Sequence, residues 1–126
     1  MRFLVILGLF ASLFGSGCKQ QEHLQEFSTN FDSDAVRPFL LRIQPLIESG
    51  FGEPQIAQVC QVVQTLAHDQ ERTLEFPIQH AGKRSTLQIR VFMDDVAAPD
   101  IYFFSSPALS QQIEAEFQRF AKDRGL

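Results

Sequence analysis

The sequence contains no tryptophan, only one tyrosine and two cysteines, and no run of basic residues. Without a basic run, and with a formal charge of −4, the chain lacks a surface that could follow phosphates, so we expect no nucleic-acid partner. Phenylalanine, with 13 copies, supplies the aromatic bulk of a hydrophobic core instead. The 126 residues suit one small globular domain and leave no room for two.

Motifs for catalysis and for metal binding are also missing. The chain has no G-x-S-x-G, C-x-x-C or H-x-x-x-H pattern and no glycine-rich phosphate loop. The three histidines, His23, His68 and His80, lie far apart in the sequence. Three aspartates in residues 94–100 lack the spacing of an EF-hand and are interpreted as a solvated turn. We therefore expect no catalytic residue, no metal site and no cofactor, and we do not class the chain as an enzyme.

The longest apolar run covers residues 3–14 and is broken only by Gly8 and Ser12. As a helix it would be about 18 Å long, well short of the ~30 Å hydrocarbon core of a bilayer. It follows the positive charge of Arg2 and is typical of the apolar part of a signal peptide. An uncleaved N-terminal anchor is the competing interpretation.

Small residues and a cysteine end this run. Gly15-Ser16-Gly17-Cys18 resembles the lipobox of bacterial lipoproteins, with Gly15 where leucine is usual. The resemblance implies cleavage before Cys18, acylation of Cys18, and attachment of a periplasm-facing protein to the membrane through those acyl chains. Lys19 directly follows the cysteine. By the same resemblance, an aspartate at that position would imply retention in the inner membrane, so the lysine favours the outer membrane. The alternative is an ordinary secretory signal, but a good A-x-A cleavage site is missing and the sequence turns polar directly after the cysteine.

These observations predict three parts of the chain: a signal peptide (1–17), a lipidated N-terminus with a polar tether (18–32), and one domain (33–126). Within the domain, apolar residues at steps of three and four predict helices over 34–49 and 54–69. Pro45 should kink or divide the first of them. A third helix should begin at Ser106-Pro107, a cap followed by proline, and end at Gly125.

Between the second and third helices the apolar period changes from 3.6 to 2. Alternation over 74–79 and 87–93, with a turn at 81–83, predicts a β-hairpin. Pro77 favours an edge position for its first strand. Residues 101–104 are predicted to form a short third strand. The order α-α-β-β-β-α predicts a two-layer α+β domain, in which an antiparallel three-stranded meander carries the helices on one face.

The sheet face turned away from the helices is the candidate partner surface. It should show Arg90 and Phe92, and the third strand should add either Tyr102 and Phe104 or the pair of alternate residues, 101 and 103. We select Arg90, Phe92, Tyr102 and Phe104, because tyrosine, phenylalanine and arginine are enriched in protein recognition. The alternative is an ordinary wet sheet face, or one covered by the N-terminal segment.

The second cysteine, Cys60, has no partner in the chain if Cys18 is acylated. It lies in the middle of the apolar face predicted for the second helix. A buried small hydrophobic side chain is therefore the favoured interpretation. A reactive or dimer-forming thiol is the alternative.

Together these features favour a membrane-anchored lipoprotein with a small periplasmic domain that binds another protein, of the kind seen in assembly accessories, inhibitors or immunity proteins. A structural or envelope-maintenance lipoprotein without a specific partner is the second hypothesis. A cryptic hydrolase is the third.

Overall fold

The computed structural model of the protein describes residues 23–30 and 32–125. The predicted signal peptide and the lipidation residue Cys18 lie outside these residues. The described part contains four strands and three α-helices. The strands are β1 (Gln25–Asn30), β2 (Glu71–His80), β3 (Lys83–Phe92) and β4 (Asp100–Ser105); the helices are α1 (Val36–Ile43), α2 (Glu53–Thr65) and α3 (Pro107–Asp123).

The strands form one antiparallel sheet in the spatial order β1-β4-β3-β2. The three helices pack on one face of this sheet, so the α+β two-layer architecture predicted from the sequence is confirmed. The core between the layers is formed by alternate strand residues and by the apolar faces of the helices. From the sheet it includes Phe76, Ile78, Leu87, Ile89, Val91, Ile101 and Phe103.

The sheet has four strands rather than the predicted three, because β1 lies within the segment interpreted as a polar tether. Phe27 and Thr29 of β1 pair with Phe103 and Ile101 of β4 and face the core. The hydroxyl of Thr29 donates to the buried carbonyl of Ile101 at 3.1 Å. Only one apolar residue marks the inner side of β1, so its period of two is too weak to detect in the sequence.

The first predicted helix is divided as Pro45 requires. Helix α1 ends at Ile43, and a 3₁₀ turn over Gln44–Leu46 holds the proline. Helix α2 ends at Thr65, four residues before the predicted end. Leu66 is already extended, and the backbone N–H of Asp69 donates to the carbonyl of Met93 at 2.7 Å. This bond fixes the chain as it enters β2.

The β2–β3 hairpin closes through Ala81 and Gly82, both with positive φ (54° and 76°). Left-handed backbone at both turn positions matches the twist of the strands. Strand β2 lies at the edge of the sheet, as Pro77 predicts. Gly50 (φ 94°) runs against this edge, and a side chain there would collide with the carbonyl of Pro77.

Helix α3 begins where the sequence predicts. The hydroxyl of Ser106 accepts a hydrogen bond from the backbone N–H of Leu109 at 3.3 Å, and Pro107 occupies the first turn. Leu109, Ile113 and Phe120 are buried against the sheet and α1. The described helices therefore lie on one face of the sheet, and the opposite face is the candidate surface.

Candidate functional site

The four residues selected from the sequence lie together on the sheet face that the described helices leave uncovered. Arg90 and Phe92 lie on β3, and Tyr102 and Phe104 lie on β4. Arg90 is directly opposite Tyr102 in the β3–β4 ladder. The core residue Phe103, between Tyr102 and Phe104, is buried on the other face. The strand alternation therefore settles which pair of the third predicted strand faces outward.

The guanidinium of Arg90 stacks on two aromatic rings. Its central carbon is 4.7 Å from the ring centroid of Tyr102 and 5.5 Å from that of Phe104. Tyr102 is its direct cross-strand neighbour, and Phe104 is the diagonal one. Each cation–π contact of this kind contributes about 0.5–1 kcal/mol when exposed. The two rings thus hold a long, flexible side chain in one place.

One polar atom of this cluster has no partner. The Nε of Arg90 is enclosed and inaccessible to solvent, and no described residue accepts a hydrogen bond from it. Arg90 also forms no ion pair with any described residue. The enclosed Nε cannot be reached from outside, but the terminal nitrogens of this stacked guanidinium can bind a carboxylate or carbonyl oxygen of another molecule.

Cys60 lies at a second feature, a cleft of about 500 Å³ beside α1 and α2. It packs against the core but is only half-buried. Burial raises the pKa of the Cys60 thiol, and a hydrogen bond from Arg37 opposes that shift without cancelling it. A raised pKa keeps the thiol protonated and a weak nucleophile at neutral pH. Cys60 is half-buried at a cleft rather than fully buried as predicted, although it does pack against the core.

His80, His68 and the acidic loop each make different local contacts. Nε2 of His80 is 2.9 Å from Oε1 of Gln112 on α3, whereas His68 is exposed beside Asp69. In the acidic loop, a carboxylate oxygen of Asp95 accepts the backbone N–H of Ala97 at 3.0 Å. No three His, Cys, Asp or Glu side chains within the described ranges are grouped so that they could hold a metal ion.

An ion-pair cluster that the sequence did not indicate joins α1 to α3. Arg42 of α1 lies 3.2 Å from Glu116 and 3.1 Å from Asp123, both on α3. Arg119, one turn beyond Glu116, also pairs with it at 2.7 Å. Arg119, and with it Arg42, lowers the pKa of Glu116 below its usual range. Only the Glu116–Arg119 spacing of three residues was visible in the sequence.

Replacing Glu116 by glutamine is expected to lower the free energy of unfolding at pH 7 by about 1 kcal/mol or less, because partly exposed ion pairs contribute little. The pKa of Glu116 is lower in the folded state, so the stabilisation is present above the unfolded value of about 4.3 and is lost as the pH falls through the folded value. Urea unfolding of the wild type and the Glu116→Gln variant from pH 7 down to about pH 3 measures how far their free energies of unfolding converge as the pH falls.

The matched control for this variant is Glu114→Gln, which removes the same charge from an exposed position on the same helix. It should leave both the stability and its pH dependence close to wild type. An equal loss in the two variants would assign the effect to net charge rather than to the Arg42 and Arg119 contacts.

No helix within the part of the chain that the structure describes is long and apolar enough to cross a bilayer. No protein-family model, no curated protein and no solved structure matches this chain.

Proposed function

We propose that the chain is a non-enzymatic bacterial lipoprotein, attached to the envelope through acyl chains on Cys18, whose α+β domain binds another protein. The outer sheet face that centres on Arg90, Phe92, Tyr102 and Phe104 is the binding surface. The attachment rests on the likeness of residues 15–18 to a lipobox. The binding role rests on the contacts of Arg90.

The single observation that supports the binding role is the stacked, unpaired guanidinium of Arg90. Arginine and tyrosine are, with tryptophan, the residues most enriched in the energetic centres of protein interfaces. Here they lie together on a regular sheet, and the guanidinium of Arg90 forms no ion pair with a described residue. A preorganised side chain loses little conformational freedom on binding, which favours affinity. The structural lipoprotein without a partner gives no role to this arrangement.

Substituting Arg90 and Phe92 together by alanine is expected to abolish stoichiometric capture of a partner from detergent-solubilised envelopes. Loss of an interface centre typically costs 2 kcal/mol or more, roughly a 30-fold loss of affinity. The measurement is affinity capture with the full acylated chain, quantified by mass spectrometry against the wild-type protein. Circular dichroism of both proteins shows whether the fold is retained.

The matched control variant carries Lys122→Ala and Leu41→Ala. These substitutions remove one cation and one large apolar side chain from the helical layer. Both residues are exposed there. This variant should capture the partner as the wild type does. Capture that survives the Arg90 and Phe92 substitutions would refute the choice of surface.

A further inference from the structure

Three exposed carboxylates border the Arg90 cluster on the outer sheet face. Glu26 on β1 is opposite Phe104, while Glu75 and Glu71 on β2 are opposite Gln88 and Phe92 of β3. Their positions on the strands alternate with core residues, so they share the face of Arg90. None of the three forms an ion pair with another described residue.

Arg90 forms no ion pair with these carboxylates. Its guanidinium lies over the rings of β4, and β4 is on the opposite side of β3 from the two glutamates of β2. The three carboxylates occupy the two outer strands. Three inter-strand spacings place Glu26 and Glu75 about 14 Å apart, and four residues along β2 separate Glu71 from Glu75 by about 13 Å. The face therefore has a cationic and aromatic centre and carboxylates on both outer strands, which we call the rim, with a further cation, Arg84, only at the hairpin end of β3.

Building on the proposed function, we infer that the partner of this face is a protein surface with lysine or arginine side chains around a central carboxylate or carbonyl group. The central group would accept hydrogen bonds from the terminal nitrogens of the Arg90 guanidinium, which are not enclosed as Nε is. The surrounding cations would meet Glu26, Glu71 and Glu75. Electrostatic complementarity of this kind selects the partner and raises its association rate.

The same charges disfavour two other occupants. An anionic lipid surface would be repelled by the rim, because the potentials of the two surfaces have the same sign. A second copy of the chain, placed face to face about a two-fold axis, would bring two acidic rims together. A basic protein surface is the occupant that this pattern of charges fits.

The rim is tested with a defined cationic probe, a fluorescent peptide of ten lysines, and with its glutamate counterpart. The rim variant carries Glu26→Gln, Glu71→Gln and Glu75→Gln. The control variant carries Asp34→Asn, Asp94→Asn and Glu114→Gln, which removes equal charge from exposed positions outside the sheet. All three proteins are full-length chains in detergent, studied at about 50 mM NaCl, where exposed charges are weakly screened.

We expect the rim variant to bind decalysine about tenfold more weakly than the wild type, and the control to differ by less than about twofold. Decaglutamate should bind none of the three proteins measurably. Equal weakening in the rim and control variants would show that net charge alone attracts the peptide, and would overturn the inference.

Envelope capture with the same variants separates this inference from the proposed function. A basic partner is supported if the rim variant fails to capture it at low salt and if added salt weakens its capture by the wild type. A partner that is lost from the Arg90 and Phe92 variant but kept by the rim variant would leave the binding role standing and refute the charge pattern. Sedimentation of the wild type as a dimer that the Arg90 and Phe92 substitutions abolish would assign the face to a second copy, and would refute the inference of a basic partner.

Discussion

Replacing Phe39 by alanine is expected to lower the free energy of unfolding by about 3–5 kcal/mol, the range for a large aromatic side chain in a core. Phe39 lies on α1 and is completely buried. Its ring centroid is 5.8 Å from that of Phe103, 5.5 Å from that of Phe117 and 5.3 Å from that of Phe120. It therefore contacts the sheet and α3 together, so its loss opens a cavity between the two layers.

Urea unfolding followed by circular dichroism measures this loss. The expected value is a large part of the 5–15 kcal/mol that stabilises a typical domain. Leu41→Ala is the matched control, because Leu41 lies two residues away on the same helix and is 42% exposed. It should change the stability by about 0.5 kcal/mol or less. Similar effects of the two substitutions would contradict the central position of Phe39.

The elements with strong periodicity were predictable from the sequence because their burial repeats at the helix or strand period. The cap at Ser106 and Pro107 located the start of α3. The change to a period of two located the β2–β3 hairpin, and Pro77 placed β2 at an edge. The early end of α2 was missed, since a backbone hydrogen bond between distant segments decides it.

Strand β1 was missed for a related reason. Its sequence, QEFSTN, has one apolar residue, and its pairing with β4 supplies the stability that the sequence pattern does not show. Edge strands are commonly polar, because a polar edge discourages association with other sheets. The Arg42 cluster escaped detection because its members are 74 and 81 residues apart in the chain.

For the candidate surface, the sequence predicted the shared face but not the contacts. Alternation assigns Arg90, Tyr102 and Phe104 to one side once their neighbours are buried. The stacking distances depend on the β3–β4 register, which places Arg90 opposite Tyr102. A slip of one residue would turn the buried Ile101 and Phe103 outward, so the packing of the core fixes the geometry of the opposite face.

Replacing Cys18 by alanine is expected to remove acyl labelling completely and to leave the chain uncleaved, since the proposed modification requires the thiol. Each buried CH₂ group contributes about 0.8 kcal/mol to membrane attachment, and stable anchoring takes more than one chain. Metabolic labelling with an alkyne fatty acid, gel mobility and membrane fractionation measure the three consequences. Cys60→Ala is the matched control, because it removes the other thiol and should leave labelling, cleavage and fractionation unchanged.

The three measurements also separate the competing origins of the apolar N-terminal run. An ordinary secretory signal predicts cleavage without a label in the wild type and in the Cys18 variant alike. An uncleaved anchor predicts an unlabelled chain of full length in both. Only the lipoprotein proposal predicts that one sulfur atom decides labelling and cleavage together. Normal processing of the Cys18→Ala chain would therefore refute the attachment through Cys18, while the tests of the Arg90 surface would stand unchanged.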